Sequence, residues 1–244
     1  MIKAKRITRL LACFLGLTMG VCSTGMNAGA FDGPTHNYVP HTSSLFVCSK
    51  FEGCDEFYTP EVIERLRTFS MKPDEDENEG GYKLHFFNPA TERNFMGEKE
   101  SALTRFTGHY RKAVRYYKTG RYNDAWEELG RAIHFLEDLN TPVHTNYESI
   151  IDAGVKLHMH VEFEKRCVAV QEECEPSMNV ENVRYYLENL TKEIGKSSAY
   201  LSADNFYALE NKLIPRDTIA KYSISNAQKA VVGVLYRFYV EVNS

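Results

Sequence analysis

Asn123-Asp124-Ala125-Trp126-Glu127-Glu128-Leu129-Gly130-Arg131-Ala132-Ile133-His134-Phe135-Leu136-Glu137-Asp138-Leu139-Asn140-Thr141-Pro142-Val143-His144 is the stretch on which the fold is decided. Ala125, Leu129, Ala132, Ile133 and Leu136 recur at steps of three and four, the stripe of an amphipathic helix. Asn123 is a good cap for its start, and Asn140-Thr141-Pro142 ends it near Leu139, because proline cannot continue the ladder and disfavours helix in the residue before it. The same period runs through Ser101 to Lys118 at Leu103, Phe106, Tyr110, Val114 and Tyr117, with Gly120 as the stop. A shorter helix is expected over Pro60 to Phe69, with Thr59 as N-cap and Pro60 at the first helical position. Further helices are expected at about 154–172, 180–202 and 216–241, and no run of period two stands out. The fold class is therefore all-α, a single-domain helical bundle of about seven helices.

The first thirty residues read as a leader rather than as part of that bundle. Lys3, Lys5, Arg6 and Arg9 make a basic start without acidic residues, an apolar run covers Leu10 to Val21, and Ala28-Gly29-Ala30 is a small-residue cleavage pattern. The run is about 12 residues, short of the roughly 20 that span a bilayer. Residues 1–30 are thus expected to be a signal peptide cleaved after Ala30, which makes the protein secreted, extracellular or periplasmic. Residues 31–244 form the expected catalytic unit. That unit carries a formal charge of about −8, which argues against a nucleic-acid backbone as the main partner. No repeat or low-complexity linker interrupts it.

Four cysteines remain after the leader, as two close pairs. In an exported protein Cys48 with Cys54 and Cys167 with Cys174 read as two short-loop disulfides.

The chemistry lies in the histidines and carboxylates. His134 and Asp138 stand four residues apart on the decisive helix, so both side chains share a face and can share a cation. His144 follows just past the Pro142 turn. Downstream, Leu157-His158-Met159-His160-Val161-Glu162-Phe163-Glu164 holds two overlapping pairs at the same spacing, His158 with Glu162 and His160 with Glu164. Imidazole nitrogen and carboxylate oxygen are ligands for zinc. One such pair alone means little; the grouping with His36 and His85 points to a metal site. His109, among helical aromatics, reads as a surface or core histidine, and His41 as a loop residue. The acidic, Gly-rich stretch 72–81 reads as a loop. Among the 15 Tyr and 14 Phe, most are core, with Phe87 or Tyr82 as candidates to line a ligand site.

His134-Phe135-Leu136-Glu137-Asp138-Leu139-Asn140-Thr141-Pro142-Val143-His144-Thr145-Asn146 resembles the signature of the zinc-dependent bacterial phospholipases C of the alpha-toxin catalytic-domain type. Glu137 departs from it, standing where that family often has Gly or Thr. His85-Phe86-Phe87-Asn88-Pro89, Lys72-Pro73-Asp74, His160-Val161-Glu162-Phe163-Glu164 and Phe31-Asp32-Gly33-Pro34-Thr35-His36 resemble further segments in the family's order. The resemblance spans residues 31 to about 165. It implies three zinc ions in one cleft of the helical bundle. One would be held by Asp74, His85, His134 and Asp138, a second by His144, His160 and Glu164. The third would use the α-amino and carbonyl groups of Phe31, with His36 and with Asp138 as a bridge. His158 with Glu162 stands as the alternative to His160 with Glu164, and Glu75 or Asp76 as the alternative to Asp74.

The implied activity is hydrolysis of a phospholipid, or of lipid in a membrane surface, to a diacylglycerol and a phosphorylated headgroup. A zinc-held water would attack phosphorus, and Asp74 would orient or deprotonate it. No nucleic-acid partner is expected, and the chain is expected to be a monomer. Two other readings stand beside this one. Fungal and plant single-strand nucleases resemble the same fold, but their Asp-x-Gly-Gly-Asn stretch has no counterpart in Asp152-Ala153-Gly154-Val155-Lys156. A zinc-stabilised binding domain without turnover is the third.

Overall fold

Apolar residues at helical spacing must bury one face of each helix against another, and the computed structural model shows how this chain does so. It describes residues 33–76, 82–146 and 157–244. The leader, Phe31, Asp152 and part of the acidic stretch lie outside the described residues. Among them run α1 (Gly33–Lys50), α2 (Cys54–Phe57), α3 (Pro60–Asp76), α4 (Ala102–Lys118), α5 (Tyr122–Asp138), α6 (Leu157–Val170), α7 (Val180–Glu188), α8 (Thr191–Glu210) and α9 (Arg216–Asn243). Short 3-10 turns occupy Tyr82–His85, Pro142–His144 and Gln171–Glu173. The described residues contain no strand, only an isolated bridge between Asn88 and Arg93. The all-α expectation holds.

The helix from the decisive stretch is the central one. α5 packs chiefly between α4 and α3. Ala125, Leu129, Ala132, Ile133 and Leu136 are all buried, as the stripe requires. From Ala132 to Asn140 every residue is buried, so the end of α5 is enclosed on all sides. Gly130 permits this enclosure: a Cβ there would stand 2.7 Å from Phe69 Cβ and 3.0 Å from the Leu66 carbonyl on α3. Gly120, at φ +78°, turns the chain between α4 and α5.

α9 closes the other side of the core against α1, α6 and α8 with Ile224, Ala227, Val231, Val234 and Phe238. The helix expected over 180–202 is instead two. Asn189 and Leu190 are extended, and Arg237 donates to the carbonyls of Tyr186, Leu187 and Asn189 at 2.8, 3.1 and 2.6 Å. Those bonds satisfy the end of α7 and fix the break.

Three expectations are corrected. Gly33–Lys50, which contains His36 and His41, is a helix and not a loop. The helix beginning at Pro60 runs through Pro73 to Asp76, so Asp74 is in its last turn. The four cysteines Cys48, Cys54, Cys167 and Cys174 are free thiols. Cys48 Sγ faces the carbonyls of Cys54 and Tyr58 at 3.6 Å, while Cys174 Sγ faces those of Val170 and Lys221 at 3.7 and 3.8 Å. Burial pushes the Cys54 thiol up to about 12, so it stays protonated at neutral pH. No helix among the described residues is long and apolar enough to cross a membrane.

Candidate metal centre

Six elements, α5 included, meet at the C-terminal end of α5, where the helix dipole favours positive charge. α5 itself contributes His134, Glu137 and Asp138, each fully buried. The Pro142 turn carries His144 back to the same end, α6 adds His160 and Glu164, the Tyr82–His85 turn adds His85, and the last turn of α3 adds Asp74. α1 adds His36. Placing so many ionisable groups in a core costs free energy unless they are paired or ligate a cation.

Donor atoms fall into three groups, each within 4.8 Å: His36, His134 and Asp138; Asp74, His85 and His134; His144, His160 and Glu164. In the second, His85 Nδ1 is 3.7 Å from Asp74 Oδ1 and 3.0 Å from Asp138 Oδ2. His134 Nε2 is 3.7 Å from Asp74 Oδ1 and 3.5 Å from Asp138 Oδ2. In the third, His160 Nε2 is 2.7 Å from Glu164 Oε1 and 3.3 Å from His144 Nε2, which is 3.8 Å from the same Glu164 oxygen. A tetrahedral zinc with ligands at about 2.1 Å holds them about 3.4 Å apart. The spacings bracket that value, so the donor sets fit a metal ion of this kind.

Hydrogen bonds choose which nitrogen faces inward. His134 Nδ1–H donates to the Ser70 carbonyl at 2.8 Å, and His144 Nδ1–H donates to the His85 carbonyl at 2.9 Å. Each leaves its Nε2 lone pair directed into the cluster. Burial pushes the His144 imidazole down to about 3 and His134 and His36 well below their ordinary value, with neighbouring histidines adding to the drop. Neutral imidazole is the form that binds a metal. Aromatic walls hold the rings: Phe86 stacks on His144 at 4.4 Å, and Phe135 packs against His85 and His134 at 5.2 and 5.1 Å.

The open alternatives divide by position. Asp74 faces the cluster, whereas Glu75 pairs with Lys72 at 2.5 Å and Asp76 with Arg131 at 2.6 Å. Glu164 lies beside His160, whereas Glu162 pairs with Arg216 at 2.6 Å; the His158 side chain is outside the described residues. His36 lies over His134 with ring centroids 4.0 Å apart, and its Nε2 is 3.9 Å from Asp74 Oδ2. Phe31, expected beside it, falls outside the described residues. His109 is a core histidine, bonded to Glu128 at 2.6 Å and stacked on Phe135. His41 sits in α1, away from the three groups. Phe87 is buried core, and Tyr82 packs on Phe86 and Phe95.

One buried group was not singled out from the sequence as functional. Glu137 reaches across to α1 and contacts His36 Nδ1. Burial, then the nearby Asp138 and Asp74, pushes its carboxyl well above the usual range. Its departure from the family pattern was the one available signal.

No protein-family model matches the chain. It is 28% identical over 205 residues to a phospholipase C of Clostridium perfringens, covering 73% of this chain and 50% of that protein. It is 27% identical to a phospholipase C of Paraclostridium bifermentans, covering 98% of this chain and 67% of that one. The chain thus spans about half the length of the C. perfringens relatives it matches. In fold it is similar to the alpha-toxin of a C. perfringens avian strain, with a TM-score of 0.69 at 24% identity over 88% of this chain and 65% of that one. Clostridium absonum alpha-toxin gives 0.69 at 20% identity over 90% and 66%. The resemblance read from the His134 to Asn146 segment is borne out by these relatives.

Proposed function

We propose that this chain, a relative of the bacterial phospholipases C, is a secreted zinc-dependent phosphodiesterase that cleaves phospholipids to a diacylglycerol and a phosphorylated headgroup. The observation that carries the reading is the convergence of three buried histidine–carboxylate groups on one helix end. Zinc is the proposed metal, three ions per chain, because neutral imidazoles and carboxylates at near-tetrahedral spacing are its preferred set. Bound zinc would supply a water of lowered pKa and neutralise phosphoryl oxygens.

The chain's own residues divide the remaining work. Asp74 is the most open carboxylate of the cluster, its side chain 20% exposed, and it borders both the His36 and the His85 groups. It would accept a hydrogen bond from the attacking water and hold it in line with phosphorus. Asp138 lies among His85, His134 and His144 and would balance the charge of the ions they hold. Phe86 and Phe135 keep water from the backs of the rings. Export through residues 1–30, with cleavage after Ala30, would release the Phe31 α-amino group as a further donor, and the exported form is taken to be a monomer.

The test compares purified chain 31–244 on a chromogenic phosphorylcholine ester, phosphatidylcholine vesicles and single-stranded DNA, with and without chelator. Chelator-sensitive hydrolysis of the ester and the vesicles is expected. Cleavage of DNA alone would move the assignment to a nuclease, and metal binding without turnover would make the chain a binding domain.

A further inference from the structure

We propose that Glu137 is a positioning residue for His36, accepting the Nδ1–H of its ring and so committing the Nε2 lone pair to the metal cluster. This rests on the metal-centre reading above and adds a residue to it.

Glu137 and His36 are both completely buried and come from different helices, α5 and α1. Successive residues on a helix point about 100° apart. Asp138 therefore faces the inner histidines while Glu137 faces α1, and Glu137 is in none of the three donor groups. Its Oε2 meets His36 Nδ1. The opposite side of that ring, Nε2, is the side that faces Asp74. His134 and His144 are fixed in the same sense by backbone carbonyls acting on their Nδ1 atoms. For His36 it is Glu137 Oε2 that lies at Nδ1.

A simple stabilising role fits poorly. The charged neighbours that act on Glu137 are Asp138 and Asp74, both repulsive, and its Oε1 has no hydrogen-bond partner among the described residues. A buried acid in such surroundings costs stability unless it serves a partner, and carboxylate–imidazole–metal triads are a known use of that geometry. Pro40 lies one turn beyond His36 in α1 and cannot donate to its carbonyl. The Glu137 contact and the stacking on His134 both hold the His36 ring.

The experiment measures zinc content and affinity of the mature chain by chelator competition, with helix content followed by circular dichroism. Wild type, Glu137→Ala, Glu137→Gln, His36→Ala and the His36→Ala/Glu137→Ala pair are compared. Glu137→Ala is expected to weaken one ion by about 10–100-fold and leave the others unchanged. Glu137→Gln, whose amide oxygen can still accept the Nδ1–H, should recover most of the loss. In the His36→Ala background, removing Glu137 should change nothing further in the remaining ions. Full wild-type affinity in Glu137→Ala would overturn the proposal, as would an equal loss in the His36→Ala background. A wild-type chain that binds no zinc would instead overturn the metal-centre reading, and this proposal with it.

Discussion

Asp138 concentrates the chemistry at the scale of single residues. It lies 3.0 and 3.5 Å from donor nitrogens of His85 and His134, and its other oxygen is 3.7 Å from His144. Replacing it with Ala should remove the carboxylate that lies between the nitrogens of His85, His134 and His144. The expected outcome is loss of at least one tightly held metal ion and of most phosphodiesterase turnover, read by metal analysis and by the ester assay. Retention of the wild-type metal content would contradict its place in the cluster. Most of this site was legible in the sequence because His134, Asp138 and His144 fall within eleven residues and His160 with Glu164 at helical spacing. Glu137 was legible only as an oddity. Its contact is with His36, about a hundred residues away, and no spacing rule reports such a pair.

At the scale of elements, the clearest device is the close approach of α5 to α3. Asp74 on α3 meets His134 on α5 only because Gly130, one helical turn before His134, lets the two backbones close. Gly130→Ala should push α3 outward, cost about 1–3 kcal/mol of stability and shift the thermal midpoint down. Metal affinity should fall with it, because the added Cβ meets backbone at 3.0 Å and not only a movable side chain. An unchanged midpoint would mean that α3 adjusts freely. α4 and α5, with clean stripes, and the long apolar α9 were read within a residue or two of their bounds. α1 was missed for a physical reason: Pro34, Pro40 and a buried face of Thr35, His36, Ser43 and Ser44 give it no apolar stripe. The break at Asn189–Leu190 was missed because its cause, Arg237, arrives from α9. The cysteine pairs misled because short spacing does not say which way two sulfurs point.

The whole molecule should respond to pH through its buried imidazoles. The His144 ring has a folded value of about 3 against an ordinary 6.5, and His36 and His134 are lowered too. Between those values the unfolded chain binds protons that the folded chain does not. Stability is therefore full above about 6.5 and falls as the pH drops below it. Glu137, raised above 4.5 by burial, acts in the opposite sense, but it is one carboxyl against three imidazoles. Metal-stripped protein should have a lower urea midpoint at pH 5 than at pH 7.5, and zinc at pH 7.5 should raise the midpoint by mass action. A midpoint unaffected by acid would contradict the neutral, buried state of these rings.

The most direct measurement is a single cycle on mature chain 31–244: count bound zinc, follow hydrolysis of a phosphorylcholine ester, strip the metal with chelator, and restore zinc. The predicted result is about three zinc per chain, one for each donor group, with hydrolysis that disappears on stripping and returns with zinc. Hydrolysis that survives complete removal of the metal would contradict it.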